Sequence, residues 1–111
     1  MTDYYKREDL AKFGTIGEHD KAHAELFFKY YRDVTGTDGA LSKREKALIA
    51  LAVAHALKCP YCIDAYTTAC LEAGSNPEQM MEAVHVAAAM QAGITLVHAV
   101  QMKNRLDELM L

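Results

Sequence analysis

Two cysteines lie three residues apart in the segment Cys59-Pro60-Tyr61-Cys62. Proline has no backbone N–H and is well accepted in the first turn of a helix, so Pro60 predicts a helix that begins there. Both thiols would then lie on the same side of the first turn, where they can form a disulfide. The positive end of the helix dipole favours the thiolate, which is the nucleophilic form of cysteine. The segment therefore predicts a redox-active dithiol.

Two other roles for this pair are less well supported. A structural zinc site needs four ligands, most often two CxxC pairs or one pair with two histidines. Here there is a single CxxC, with His55 four residues before it and Cys70 eight residues after it. A fourth ligand would have to come from a distant segment, so we expect no metal and no cofactor. A disulfide that closes a loop of two residues constrains the unfolded chain little, which disfavours a purely structural bridge.

The composition limits the class of protein. The 111 residues suffice for one domain, residues 1–111, with one core. A formal net charge of −3 and the lack of a lysine and arginine cluster argue against a nucleic-acid partner. The first nine residues lack the apolar stretch of a secretory signal, and no apolar run reaches a membrane-spanning length. We therefore expect a cytoplasmic protein with no membrane association, in which thiols are kept reduced.

The apolar fraction of the sequence predicts subunit interfaces. Hydrophobic residues make up 51% of the chain, which is slightly high for so small a domain. One small domain cannot easily bury that much apolar surface. We therefore expect a homo-oligomer.

Helical periodicity without strand alternation predicts an all-α fold. Ser42 and Glu45 have the spacing of a capping box, Gly74 is typical of a helix end, and Pro77 is typical of a helix start. Gly93 is expected to break or kink the next pattern. The prediction is an N-terminal arm over residues 1–14, bearing Tyr4 and Tyr5, followed by helices at about 17–32, 43–57, 60–73, 77–91 and 94–110.

Three segments together resemble a known family. They are Leu41 to Ala54 (LSKREKALIALAVA), Cys59 to Ala65 (CPYCIDA) and Glu82 to Ala89 (EAVHVAAA). Over about residues 40–105 they resemble the carboxymuconolactone decarboxylase/AhpD-like superfamily, and the combination is far more specific than CxxC alone. The opening residues through Gly14 and the segment Leu96-Val97-His98 are similar to a narrower group, the peroxidase-like proteins associated with arsenosugar biosynthesis.

The resemblance implies a fold, an assembly and an activity. The fold would have five to six helices with the CxxC at the N-terminus of a central helix, and the assembly would be a trimer or hexamer. The activity would be that of an alkylhydroperoxidase-like oxidoreductase. In such peroxidases the second cysteine, here Cys62, attacks a small hydroperoxide and the first, here Cys59, resolves the product as a disulfide. A thioredoxin-like or lipoyl-bearing reductant would then reduce the pair.

The sequence departs from the family's pattern at two positions. Family peroxidases carry a glutamate twelve residues before the first cysteine and a histidine four residues after the second, and these relay the proton. Ala47 and Tyr66 stand there instead, and neither is a base near neutral pH. Tyr66 could still donate a hydrogen bond to a thiolate at Cys62, one turn away. His55, one turn before Cys59, is the candidate replacement base, or else a core histidine bonded to a carbonyl.

Other titratable residues have structural interpretations. Glu45 is expected to cap its helix, and Asp64 to be a surface acid near the start of a helix. Cys70 is expected to be a small buried hydrophobe. His85 and His98 lie on apolar helix faces, where we expect buried or interface histidines, with His85 the better second base.

Two other functions remain open on the sequence. A dithiol without the usual relay could hold a thiophilic ligand such as trivalent arsenic or a metal. The lactone decarboxylation for which the family is named asks for no redox cycle and gives the CxxC pair no use, so we rank it last.

Overall fold

The structure is a computed structural model that describes residues 5–111. Tyr4, expected in the N-terminal arm, lies outside the described residues. No strand occurs among residues 5–111, so the predicted all-α class is confirmed. The elements are a 3₁₀ segment (Arg7–Glu18) and five α-helices, namely α1 (Lys21–Gly36), α2 (Lys43–Ala56), α3 (Pro60–Glu72), α4 (Pro77–Val97) and α5 (Ala99–Leu109).

Two of the helix starts are capped as the sequence predicts. At the start of α2, Ser42 Oγ accepts a hydrogen bond from the Glu45 amide at 3.1 Å, and the Glu45 carboxylate accepts one from the Ser42 amide at 2.9 Å. Asn76 and Gln79 make the same reciprocal pair at the start of α4, where Pro77 occupies the first turn. Each such cap stabilises its helix by about 1 kcal/mol. The structural interpretation of Glu45 is confirmed.

Both predicted bounds of the first helix (about 17–32) and the predicted break at Gly93 are wrong, and that helix ends at Gly36. The first α-helix begins at Lys21 rather than near residue 17, because Asp20 caps it by accepting from the His23 amide. The predicted break at Gly93 does not occur: α4 continues through it to Val97, and a turn at His98 separates α4 from α5. A glycine within a helix lowers helix stability by only about 1 kcal/mol relative to alanine, and it keeps its N–H donor. The helix-forming residues on both sides are therefore sufficient for the helix to continue through Gly93.

The core lies where α2 packs against α3 and α4. Ala47, Leu51 and Cys70 form its centre, and Leu51 and Cys70 are 2% and 0% exposed. Partly buried side chains surround this centre, among them Tyr66 and Met80. The expectation that Cys70 is a buried small hydrophobe is confirmed. Since Tyr66 and Cys70 are both on α3, the core fixes the helix that begins at the dithiol.

Much apolar surface remains outside this core. The radius of gyration is 19.1 Å, whereas a compact domain of this length has about 13 Å. The second half of α2 is apolar on nearly all sides, yet it is not buried on most sides in the single chain, because Ile49 and Val53 are half exposed. His85 and His98 are also exposed rather than buried within the chain. Large exposed apolar side chains continue along α4 and α5, namely Met81, Val86, Met90, Ile94, Leu96, Val97, Val100, Met102, Leu106 and Leu109.

One helix among residues 5–111 is long and apolar enough to cross a membrane, judged by length and composition only. It is Pro77–Leu109, which joins α4 and α5 through the turn at His98. The sequence-based expectation that no apolar run reaches this length is therefore wrong. Core helices of soluble proteins meet the same criterion, so the finding is weak evidence for a membrane span.

Candidate dithiol site

A tight turn between α2 and α3 sets the position of the first cysteine. The Lys58 amide donates to the His55 carbonyl at 3.1 Å, and the Cys59 amide donates to the Ala54 carbonyl at 3.0 Å. This bonding closes the end of α2 and requires a left-handed residue at Lys58, whose φ is 56°. The chain reverses there, and Cys59 becomes the N-cap of α3 with Pro60 in the first turn.

The two thiols lie together at the start of α3, as the sequence predicts. Both are free thiols and both are partly buried. Their sulfur atoms are in hydrogen-bond contact, 2.8 Å apart. The Cys59 sulfur also accepts a hydrogen bond from the Cys62 amide at 3.3 Å, which is the capping interaction of the helix. The pair can therefore close to a disulfide with little movement of the backbone.

The surroundings shift the two thiols in opposite directions. The contact with the Cys62 sulfur lowers the pKa of Cys59, and the amides of Cys62 and Tyr61 lower it further. Burial, followed by the neighbouring Cys59, raises the pKa of Cys62 to about 11. A single negative charge on the pair is therefore best stabilised on the Cys59 sulfur.

A mostly apolar cavity of about 500 Å³ opens onto both sulfurs. The 3₁₀ segment forms one wall with Leu10, Phe13 and Ile16, and α3 contributes Tyr61 and Ala65. Polar groups at the cavity are Asp9, Lys12, Thr15 and Tyr31. The cavity can thus hold a small apolar molecule in contact with the thiols.

Aromatic packing holds the 3₁₀ segment against α1. The Phe13 ring meets Phe28 edge to face with centroids 5.0 Å apart and also packs against Phe27 and Tyr31. A Cβ atom at Gly17 would lie 2.9 Å from that of Ala24, so this close approach requires glycine. The wall of the cavity is therefore built by residues far from the CxxC in sequence.

Asp64 fixes the beginning of the same segment to α3. Its carboxylate accepts a hydrogen bond from the Tyr5 hydroxyl at 2.8 Å and forms an ion pair with Arg7 at 2.9 Å. The Tyr5 ring also packs edge to face on Tyr61, with centroids 4.7 Å apart. The expectation of a simple surface acid is therefore wrong, because Asp64 is partly buried between two partners.

The Tyr66 hydroxyl is hydrogen-bonded to the hydroxyl of Tyr31 on α1. The described contacts include no hydrogen bond from Tyr66 to a sulfur, so the expected bond to Cys62 is not formed in this state. Desolvation and the bond to Tyr66 raise the pKa of Tyr31, which keeps its hydroxyl protonated. Sequence reasoning missed Tyr31, because its spacing suggested only part of the apolar stripe of the first helix.

His55 lies apart from the cavity of the thiols. Its Nδ1 atom is 2.8 Å from the Leu51 carbonyl, which is the bond expected of a core histidine. The ring lines a second cavity of about 720 Å³, with Arg7, Lys58 and Pro60 among the other lining residues. The fold thus brings Cys59, Cys62 and Tyr31 to one cavity and His55 to another.

Ala47 stands at the position where the family resemblance predicts a glutamate. Ala47 is 6% exposed and packs into the core with Leu51, so no charged group reaches the dithiol from there. In the part of the chain that the structure describes, no three His, Cys, Asp or Glu side chains are arranged to hold a metal ion.

A family model and a solved structure that match this chain name the same family. The model of the carboxymuconolactone decarboxylase family matches residues 21–102. "Uncharacterized protein 4 in cox locus" of Paracoccus denitrificans is 43% identical over 96 residues, which cover 85% of this chain and 86% of that protein. The crystal structure of an apo carboxymuconolactone decarboxylase family protein from Legionella pneumophila matches with a TM-score of 0.69 and 26% identity, covering 92% of this chain and 91% of that one. None of these matches bears on the arsenosugar-associated group, so that narrower resemblance stays a prediction.

Proposed function

The chain belongs to the carboxymuconolactone decarboxylase family, and from this membership we propose that it is a thiol-dependent peroxidase. Membership alone is compatible with a peroxidase or a decarboxylase-like role. The observation that favours the peroxidase is the pair of free thiols, 2.8 Å apart at the start of a helix and open to one cavity. A decarboxylation has no use for such a pair.

The proposed reaction reduces a small hydroperoxide with two electrons from the dithiol. One thiolate bonds to the peroxide oxygen that carries hydrogen, the O–O bond breaks, and a sulfenic acid and an alkoxide form. The second thiol then attacks the sulfenic sulfur; the S–S bond forms, the S–O bond breaks, and hydroxide leaves with the thiol proton as water. A thioredoxin-like or lipoyl-bearing dithiol returns the pair to the reduced state by exchange.

The shape of the cavity supports an organic hydroperoxide as substrate. Leu10, Phe13 and Ile16 line the same cavity as the sulfurs, and their apolar surface suits a small alkyl group. Lys12 is paired with Asp9 at 3.0 Å, an interaction that raises the pKa of the Lys12 ammonium and keeps it cationic. The pair adds no net charge, so it does not oppose a neutral substrate.

We propose an altered proton relay at this site. The departing alkoxide must acquire a proton. Tyr31 lines the cavity, and its hydroxyl is protonated and hydrogen-bonded to Tyr66. Such a hydroxyl acts as an acid and not as a base. His55 stays a prediction for this relay, but it faces the second cavity, so any effect on the thiols would be indirect.

Assays of cysteine variants test this function. Cys62→Ser and Cys59→Ser are expected to abolish the turnover of tert-butyl hydroperoxide with a dithiol reductant, whereas Cys70→Ala should retain it because Cys70 lies in the core. Retained turnover in either of the first two variants would contradict the mechanism. An inactive wild type with several dithiol donors would contradict the function.

We also propose that the chain works as a homo-oligomer, a trimer or hexamer, in the cytoplasm and without nucleic acid or membrane. Exposed apolar side chains on α2, α4 and α5 support this, because a single chain leaves them in water. Light scattering after size exclusion would measure the mass. The Ile94→Glu variant should lower it, and Glu82→Gln on the same helix should not. A monomeric wild type that binds lipid vesicles would instead support a membrane role for Pro77–Leu109.

The alternative function is capture of a thiophilic ligand such as trivalent arsenic or a metal. Two sulfurs on one side of a helix turn can bind such an ion in place of turning over. Calorimetry with arsenite should then show stoichiometric binding by the reduced wild type and none by Cys59→Ser. Binding without any peroxide turnover would favour this function over the first.

A further inference from the structure

We infer that Cys59, the first thiol of the pair, attacks the hydroperoxide and that Cys62 resolves the product. This inference rests on the peroxidase function proposed above. It reverses the order that the family resemblance implies.

The hydrogen bonds at the start of α3 are directed toward the first sulfur. Cys59 is the N-cap, and its sulfur accepts from the Cys62 amide at 3.3 Å. An N-cap acceptor lies at the positive end of the helix dipole and receives N–H groups that have no partner within the helix, so a negative charge is stabilised there. The described hydrogen bonds of the Cys62 sulfur are limited to its contact with Cys59. Position in the helix therefore favours thiolate at Cys59.

The contact between the sulfurs lets them share one proton, because a thiol can donate or accept a hydrogen bond. With Cys59 ionised, the Cys62 thiol can donate to it across 2.8 Å. Burial opposes ionisation of Cys62 and raises its pKa, while the pKa of Cys59 is lowered. The two sulfurs therefore have different roles: Cys59 is the nucleophile, and Cys62 is a thiol that donates a hydrogen bond to it.

Access to the substrate does not oppose this order. Both sulfurs line the same cavity, so a hydroperoxide held there can reach Cys59. The other titratable groups at the cavity are Asp9, Lys12, Tyr31 and Tyr61. Asp9 and Lys12 pair with each other, and Tyr31 is bonded to Tyr66, so the described hydrogen bonds and ion pairs of these residues include none that would select Cys62 as the thiolate.

The steps then follow in a fixed order. The Cys59 thiolate bonds to the terminal peroxide oxygen, the O–O bond breaks, and the alkoxide takes a proton from Tyr31 or solvent. The Cys62 sulfur next attacks the Cys59 sulfenic acid; an S–S bond forms, the S–O bond breaks, and the Cys62 proton leaves with hydroxide as water. The external dithiol supplies the two electrons that restore both thiols.

Limited alkylation identifies the thiolate without any peroxide. Reduced wild-type protein would be treated at pH 7 with less than one equivalent of iodoacetamide, and the label would be located by fragment-ion sequencing of the peptide that contains both cysteines. We expect at least about tenfold more label on Cys59 than on Cys62, because alkylation follows the thiolate fraction. Cys70, which is fully buried, serves as an internal control for unfolding. Equal labelling, or preference for Cys62, would overturn the inference.

Trapping of the sulfenic acid tests the order during the reaction. Single variants would be exposed to tert-butyl hydroperoxide with dimedone present. Cys62→Ser is expected to form the adduct on Cys59 at least about tenfold faster than Cys59→Ser forms it on Cys62. Serine is a good N-cap residue, so Cys59→Ser should keep the helix start.

The outcomes separate the two levels of the proposal. A wild type that consumes hydroperoxide, with faster trapping on Cys62, overturns only the order of attack. A wild type that consumes none overturns the peroxidase function, and the assignment of Cys59 as the attacking thiol falls with it.

Discussion

The hydroxyl groups of Tyr31 and Tyr66 are hydrogen-bonded to each other between α1 and α3, and Tyr31 also lines the cavity of the two thiols. The two residues are 35 positions apart in the chain. Tyr66 occupies the position at which the family resemblance predicts a histidine, yet its hydroxyl is directed to another phenol. The contact thus places two phenol hydroxyls together where the family resemblance predicts a basic side chain.

Replacing Tyr31 with phenylalanine tests this pair as the proton donor. We expect Tyr31→Phe to lower kcat/KM for an alkyl hydroperoxide by about tenfold or more, because general acids typically contribute at least that much. The loss should grow with the pKa of the leaving alcohol, which a purely structural change would not produce. Tyr30→Phe is the matched control, since Tyr30 is adjacent and mostly exposed. An equal loss for all leaving groups would exclude the role as acid.

Replacing Asp64 should loosen the wall of the cavity. Asp64→Asn weakens the attachments to Tyr5 and Arg7, and since Arg7 is largely exposed we expect a loss of about 1 kcal/mol in the free energy of unfolding. Hydrogen exchange of residues 7–18 should become faster, with little change in α5. Asp107→Asn, on α5, provides the control. Unchanged exchange in the 3₁₀ segment would show that aromatic packing alone holds it.

Replacing Lys58 with glycine should stabilise the protein. A left-handed conformation costs a residue with a side chain about 1–2 kcal/mol, and glycine avoids this cost but loses more backbone entropy on folding. We expect Lys58→Gly to raise the free energy of unfolding by about 0.5–1 kcal/mol in urea titrations. Lys58→Ala removes the same ammonium and keeps the strain, so it should change little. A similar gain in both variants would assign the effect to charge.

The thiols should make stability depend on pH in the alkaline range. The pKa of Cys62 is raised to about 11 in the folded protein, against about 8.5 for a free cysteine. Between these values the unfolded chain has already lost the proton that the folded chain keeps. Because the folded state then binds more protons, its stability should fall as pH rises from about 8.5 to 11.

Urea midpoints of the reduced protein at several pH values would measure this fall. The Cys62→Ser variant should show a smaller decline, while the titrations of groups that do not contact Cys62 affect both proteins alike. Burial raises the pKa of Cys70, so Cys70 also lowers the stability of the folded protein as pH rises. Both proteins must therefore retain Cys70. Parallel slopes in wild type and Cys62→Ser would contradict the prediction.

Local signals in the sequence were sufficient for the helices and for the start of the dithiol segment. Ser42 and Glu45 cap α2 through atoms three residues apart, and Pro60 begins α3 for reasons that hold in any chain. Gly93 shows where such signals fail. The free-energy cost of one glycine in a helix is smaller than the combined helix-forming tendency of the residues around it. The sequence also placed Cys70 in the core, because a cysteine on an apolar stripe is usually buried.

Only the tertiary structure decided which side chains share the cavity with the thiols. Tyr31 reaches Tyr66 because α1 and the 3₁₀ segment pack beside α3. His55, in the last turn of α2, lines a different cavity. Helical spacing fixes the face on which a residue lies but not the element that covers that face. By itself the sequence therefore determined the all-α class, the capped starts of α2 and α4, and the thiol pair at the start of α3. Packing between distant segments decided the cavity wall, the position of Tyr31 and the burial of Cys62.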